Sequence, residues 1–191
     1  MTDLPDAEAP PESPLAPSTI ADLLSATAVT VAEELRALGE VAGWRPAPGE
    51  WSANECVGHL VEAERRGFSG RIRTILAGVR SDGSFEPPIL ETWDPPAVAE
   101  ARRDDMRPAA ELAAEFAATR ADSVALVRSL TDRDLGRSGI HPEVGELRVD
   151  ELLAEWVHHD RNHIRQMLAV TQSRVWGQMG NARTFSVLDL E

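Results

Sequence analysis

The sequence is poor in cysteine, with Cys56 as the single thiol among 191 residues. One thiol cannot close an internal disulfide, and it cannot build a thiolate metal cluster within one chain. The sequence also lacks an apolar run long enough to span a bilayer, and its first residues lack the basic and apolar regions of a secretory signal. These absences predict a cytoplasmic protein without a membrane-spanning segment.

Basic residues are scarce as well, because 19 lysines and arginines stand against 32 aspartates and glutamates. The formal net charge is -13. A chain of this charge repels nucleic acid and anionic membrane surfaces unless a local basic patch attracts them, and the sequence contains no such cluster. We therefore expect neither nucleic acid nor a membrane among the partners.

The residues that are present favour one compact, all-α domain. Hydrophobic residues make up 42% of the chain, which is enough for a proper core. Residues 1–17 are acidic and rich in proline, a composition that predicts a disordered tail. Residues 18–173 are predicted to form a four-helix bundle, since helical spacing recurs and no segment alternates with a period of two. The apolar C-terminal tail, 174–191, should pack on the bundle or on the second subunit of a homodimer.

Local signals indicate where the helices begin and end. Ser18 is a plausible N-cap for the first helix, and Ser52 with Glu55 can form a capping box for the second. Asp94 and Pro95 mark the start of a shorter helix. The four main helices are expected at about 18–38, 53–78, from beyond Pro108 to 130, and 149–172, with a short helix at 97–106 and loops that include 79–94 and 131–145.

The most informative stretch is the last helix, where His159 and His163 stand four residues apart. This spacing places both imidazoles on one side of a helix, about one turn from each other, which is a metal-ligand spacing. Both lie at the edge of the apolar face, whereas His158 projects almost opposite and should meet solvent. Asp160 falls near the middle of the apolar face, where a carboxylate has to be paired or hydrogen-bonded.

Two histidines are too few for a transition-metal site, which needs three or four ligands. His59 in the second helix and His141 in a loop are the candidates for the third ligand. Three neutral imidazoles with one or more waters would suit a divalent ion, and the ligand set does not distinguish zinc, nickel, iron and cobalt.

Other polar residues are predicted to support this site. Arg120 falls within an apolar stripe and needs a carboxylate partner, either Asp160 or Glu64. Glu62 lies one turn after His59 and could be an outer ligand or a base, although solvation on an acidic surface is the simpler interpretation. Gln166 follows His163 by three residues and could touch a substrate, or it could simply belong to the polar surface of the helix.

Several short motifs together resemble the DinB-like family over roughly residues 20–172. In chain order they are Trp51-Ser52, Glu55, His59-Leu60, Glu64, Arg120, His141-Pro142 with Gly145, His159-Asp160, His163 and Gln166. The resemblance implies a bundle of up-down-down-up topology that holds a divalent metal through three histidines. In this sequence those ligands would be His59, His159 and His163.

The resemblance also suggests an enzymatic function, because relatives in this broad fold include thiol S-transferases and mycothiol-dependent isomerases. A low-molecular-weight thiol would bind the open metal position as a thiolate, the form that attacks an electrophile. The same position could instead activate water, which would make the protein a metal-dependent hydrolase.

Two non-enzymatic hypotheses predict different sites. A metal-binding module without turnover, acting in ligand binding or in the stress response after which the family is named, would have its metal closed off by a fourth protein ligand such as His141 or Glu62. Histidines that are merely packed would bind no metal, and chelators would then leave the stability unchanged.

Overall fold

The computed structural model describes residues 14–188. Its helices are α1 Pro17–Leu38, α2 Ala53–Glu62, α3 Ser69–Ala77, α4 Pro95–Arg102, α5 Ala109–Ser129, α6 Asp132–Leu135, α7 Val149–Trp176 and α8 Arg183–Leu188. Two strands, β1 Ser138–His141 and β2 Gly145–Arg148, form an antiparallel hairpin. The predicted disordered tail lies outside the described residues up to position 13, and its last residue, Pro17, already belongs to α1.

Four helical rods form the bundle, namely α1, α2 continued by α3, α5 and α7. The first and last rods run parallel to each other, and so do the second and third. The contacts that establish these directions are Glu34 with Thr171 and Leu23 with Arg161 for the first pair, and Asn54 with Arg107 and Glu64 with Arg120 for the second. This is the up-down-down-up order, so the predicted four-helix bundle is confirmed.

The starts of the first two rods differ in how well they were predicted. The capping box is present, since Ser52 Oγ accepts a hydrogen bond from the Glu55 amide and the Glu55 carboxylate accepts one from the Ser52 amide. The prediction that Ser18 caps α1 was wrong. Pro17 occupies the first helical position, where its missing N–H costs nothing.

A π-helical turn over Ala63–Phe68 joins α2 to α3. Such a turn inserts an extra residue into the helical repeat and rotates the side chains on either side of it relative to each other. Every residue of α2 is buried, so His59 projects from the most protected helix of the bundle. A regular 3.6-residue pattern does not anticipate this turn.

The expected loop over 131–145 is structured instead, because α6 and β1 lie within it and β2 begins at its last residue, Gly145. Ile140 in β1 donates its amide to the Pro88 carbonyl and accepts the Leu90 amide, at 2.8 and 2.9 Å. A Cβ at Gly139 would lie 2.7 Å from Leu90 Cδ2, so this close backbone approach requires glycine. Strands of four residues are too short to show an alternating pattern in the sequence.

The short helix before α5 is also more broken than expected. Asp94 caps it by accepting the Ala97 amide at 3.1 Å, as predicted, and Pro95 is its first residue. The expected helix over 97–106 nevertheless ends at Arg102. Arg103 adopts a left-handed φ of 50°, and a separate 3₁₀ turn, Asp104–Met106, follows it.

The C-terminal part is more helical than predicted. α7 continues to Trp176 rather than ending near residue 172, and a 3₁₀ turn, Gly180–Ala182, leads into α8. Phe185 is 73% exposed, so packing of this segment on the bundle or on a second subunit stays a prediction. Between residues 14 and 188, no helix combines the length and apolar character that a membrane span needs.

Candidate metal centre

Three histidines from two rods meet in the groove between α2 and α7. His59 belongs to α2, while His159 and His163 lie one turn apart on α7, and each offers a ring nitrogen within 4.8 Å of the other two. His158 is exposed on α7, as predicted. The structure therefore brings the three proposed ligands together and keeps the neighbouring histidine apart from them.

The spacing of the ring nitrogens in this histidine cluster fits a single ion. His59 Nε2 lies 3.1 Å from His159 Nε2. Two nitrogens that each bind one divalent ion at about 2.0–2.1 Å are about 2.9–3.4 Å apart for bond angles between 90° and the tetrahedral value. Among the described residues, no carboxylate or cysteine joins the cluster, so such an ion would keep positions for ligands from solution.

Gln166 orients one of the three rings. Its Oε1 lies 3.0 Å from His163 Nδ1, so this nitrogen donates the ring proton and Nε2 is left with its lone pair free. Gln166 therefore supports one of the possible ligands, and its contact with a substrate stays a prediction.

Burial keeps all three imidazoles neutral, which is the form that binds a metal. Burial, reinforced by His163, lowers the pKa of His59 to about 4. Burial, with His163 and His59, lowers the pKa of His159 to about 3, and burial also lowers the pKa of His163. Around neutral pH each ring thus carries a single N–H group and keeps a lone pair on its other nitrogen.

Aromatic rings surround the cluster, a feature that the sequence interpretation missed. The ring centroid of Trp51 lies 5.1 Å from that of His59 and 6.0 Å from that of His163. Trp93 stacks on His59 at 6.0 Å, and Phe68 meets the edge of His159 at 5.2 Å. Helical periodicity carries no information about Trp93, which lies in a loop.

A buried ion-pair network lies directly behind the cluster. Arg120 Nη1 donates to Asp160 Oδ2 at 2.6 Å, and Nε donates to Glu64 Oε2 at 2.9 Å. One of these two carboxylates was expected to pair with Arg120, and both of them do. Burial alone would lower the pKa of Arg120, but Asp160 and Glu64 outweigh this effect and raise it. Asp160 follows His159 directly, so the network fixes α7 beside the site.

Glu62 is not solvated as the simpler interpretation predicted, and its role as an outer ligand or base stays a prediction. It is 7% exposed rather than solvated, and its carboxylate accepts hydrogen bonds at 2.7 Å from both Arg66 and Arg102. Arg102 also binds Asp104, which approaches the backbone so closely that a Cβ at Gly58 would lie 1.7 Å from Asp104 Oδ2. Glu62 therefore ties α4 to α2 and leaves the cluster without a carboxylate.

His141 likewise does not complete the metal site. It ends β1 and is buried, with Nε2 lying 3.0 Å from Arg71 Nη2. Neither His141 nor Glu62 belongs to the group of possible ligands in the part of the chain that the structure describes. Neither residue therefore supplies the fourth protein ligand that a closed structural site would require.

A cavity of about 560 Å³ opens beside the cluster. His163, Gln166 and Trp51 form part of its lining, together with Glu50 and Ser173. It lies between the loop that precedes α2 and the second half of α7. A small molecule in this cavity can therefore reach the side of the cluster that carries His163.

Comparisons with known proteins agree with this fold. YfiT from Bacillus subtilis, described as "a probable metal-dependent hydrolase with an unusual four-helix bundle topology", superposes with a TM-score of 0.71 at 17% sequence identity. The match covers 86% of this chain and 92% of YfiT. Comparison with curated proteins gives no match. The family model of the DinB superfamily matches residues 29–167, and the chain therefore belongs to the DinB superfamily.

Proposed function

We propose that the protein is a divalent-metal-dependent enzyme whose ion is held by His59, His159 and His163. The observation that carries this proposal is the convergence of three neutral imidazoles beside an open cavity, with no fourth protein ligand among the described residues. An ion held there supplies an open coordination position and a positive charge that favours the deprotonated form of a bound thiol or water.

The first candidate reaction is transfer of a low-molecular-weight thiol to an electrophile. A thiol has an ordinary pKa of about 8.5 and needs little assistance to become a thiolate. Such a reaction therefore does not depend on a carboxylate base beside the ion. The protein's own thiol cannot serve, because burial raises the pKa of Cys56 to about 12. The nucleophile would have to enter through the cavity, where Trp51 and the exposed Gln166 side chain meet it.

Metal-dependent hydrolysis is the second candidate, and two observations favour it. YfiT, which shares the fold, is described as a probable hydrolase of this type. Glu50 lines the same cavity as His163, so a carboxylate there would be able to accept a proton from an attacking water. The two candidates differ in whether product formation requires an added thiol.

The metal proposal is tested by elemental analysis of the untagged protein after reconstitution with zinc, nickel, iron or cobalt. We expect about one equivalent of a divalent ion in the wild type and loss of that ion in His59→Ala and His159→Ala. His158→Ala is the matched control, because His158 is exposed on the same helix and should leave the metal content unchanged. Absence of metal in the reconstituted wild type would refute the proposal.

The reaction is tested with two assays on the metal-loaded protein. Thiol transfer predicts consumption of a chromogenic aryl halide only when a small thiol is present, together with a thiolate-to-cobalt absorption band in the cobalt-loaded protein. Hydrolysis predicts release of nitrophenol from nitrophenyl esters without thiol, reduced at least tenfold in Glu50→Gln. A fully loaded protein that gives neither product, and no cobalt band, would favour the non-catalytic module.

A further inference from the structure

Arg71 on α3 differs from other arginines that are withdrawn from solvent. Arg102, Arg107 and Arg120, for example, each bind at least one carboxylate. Arg71 forms no ion pair within residues 14–188, and its Nε is buried without a hydrogen-bond partner. Within this described part of the chain its one polar contact is with His141, whose Nε2 lies 3.0 Å from Arg71 Nη2. A half-buried guanidinium is thus left facing a ring that carries no negative charge.

The contacts of His141 make this arrangement incomplete. Its Nδ1 faces the backbone amide of Glu143 at 3.3 Å, and its Nε2 faces the guanidinium of Arg71. Both neighbours can only donate, whereas a neutral imidazole has one acceptor nitrogen and one N–H group. In one of the two contacts, therefore, two hydrogen-bond donors face each other. If Nδ1 accepts the amide, then Nε2–H and Arg71 Nη2 are two donors without an acceptor.

An oxyanion resolves this conflict. One oxygen at about 2.8 Å from each donor would complete a nearly equilateral triangle with two nitrogens 3.0 Å apart. Arg71 Nε has no hydrogen-bond partner but is buried, so a small shift of the side chain would let it bind a second oxygen of the same group, as in the usual side-on binding of carboxylate or phosphate by arginine. The geometry matches a planar carboxylate or a phosphate rather than a single-atom ion.

The charges around Arg71 are compatible with such a ligand, although they limit its affinity. Burial lowers the pKa of Arg71, and the carboxylates of Glu155 and Glu143 oppose this effect. Neither acid forms an ion pair with the guanidinium, and both are exposed on the surface. Their exposure screens their charges, so they weaken the binding of an anion without preventing it.

We propose that Arg71 and His141 form a binding site for a small oxyanion, either a carboxylate or a phosphate group. Arg71 lies on the same rod as His59, and about 18 Å of helix separates the Cα atoms of these two residues. Glu155, one of its neighbouring acids, precedes His159 by one turn of α7. The inference rests on the contacts of Arg71 and His141 alone and holds whether or not the histidine cluster binds a metal.

The test is a titration of the metal-free full chain with acetate and, separately, with phosphate at constant ionic strength. Binding is monitored through the ¹⁵N resonances of the His141 ring. We expect a saturable shift in the wild type and in Arg73→Gln, and at least a tenfold weaker response in Arg71→Gln. Arg73 is the matched control, because it is exposed on α3 and also lacks a carboxylate partner among the described residues.

A second variant keeps the inference testable if Arg71→Gln does not fold. Changing both exposed acids, Glu143→Gln and Glu155→Gln, removes repulsion and should tighten anion binding severalfold. The ratio of the acetate and phosphate affinities identifies the preferred ligand chemistry. The inference is overturned if the His141 resonances do not respond to either anion. It is also overturned if the variant with both Glu143→Gln and Glu155→Gln binds the anions no more tightly than the wild type.

Discussion

Arg120 is the residue on which the charge balance of the core depends. It is 2% exposed, and its partners Asp160 and Glu64 are equally inaccessible. Removal of one member of a buried ionic network leaves the remaining charges uncompensated, which costs more than the network contributes to stability. Its guanidinium also donates to the Leu24 carbonyl at 3.0 Å, so it connects its own rod, α5, to each of the other three.

We therefore expect Arg120→Met to lower the free energy of unfolding by about 3–5 kcal/mol. The measurement is urea unfolding at neutral pH. Arg128→Met on the same helix is the control, because the exposed pair of Arg128 with Asp22 should contribute less than about 1 kcal/mol. Equal stability losses in the two variants would show that the buried network is not the dominant interaction.

Individual residues of the site were predictable where helical spacing alone fixes their direction. The period of an α-helix predicts that His159 and His163 lie one turn apart and that His158 points outward. It also places Arg120 in an apolar stripe, where it needs a carboxylate. Glu62 and Trp93 were not predictable. Glu62 is paired with Arg102 from a distant helix, and Trp93 is placed by a loop that packs on the bundle.

At the scale of whole elements, an arginine–carboxylate network fixes α4 and the turn after it against α2 and α5. Glu115 on α5 accepts hydrogen bonds from Arg102 and Arg107 at 3.1 and 2.7 Å, and from Arg65 at 2.8 Å. Burial alone would raise the pKa of Glu115, but the arginines outweigh burial and lower the pKa to about 2. The ionised carboxylate therefore stabilises the folded state.

The pH dependence of this effect has a definite sign. Because the pKa of Glu115 is lower in the folded chain, its contribution is complete above about pH 4.5 and disappears as the pH falls towards 2. Glu115→Gln should cost about 2 kcal/mol of unfolding free energy at pH 7, and the difference should shrink below pH 4.5. Denaturant unfolding at several pH values measures this. Glu111→Gln, an exposed change on the same helix, should show no such trend.

The elements themselves were predictable in proportion to their length. Long amphipathic helices bury many residues on one face and show their period clearly, so the four rods could be placed from the sequence. The β-hairpin and the π-helical turn could not. Both depend on contacts with distant residues, such as the backbone pairing of Ile140 with Pro88 and Leu90, and each spans only four to six residues.

At the scale of the molecule, the histidine cluster joins positions that lie far apart along the chain. His59 and His159 are separated by 100 residues, and they belong to antiparallel rods that are connected through the whole bundle. An ion bound by both rods would hold α2 against α7 only in the folded state. The proposed metal would therefore stabilise the protein as well as supply its chemistry.

This coupling predicts that the metal-loaded protein unfolds at a higher temperature than the chelated protein. A ligand at about 100 times its dissociation constant adds about 2.7 kcal/mol to the free energy of unfolding, which corresponds to about 5–10 °C for a domain of this size. Calorimetry with and without added metal measures the difference. The shift should vanish in His59→Ala, which leaves both ligands on α7 but removes the link to α2, and it should persist in His158→Ala. A shift that survived in His59→Ala would mean that the ion binds α7 alone, without joining the two rods.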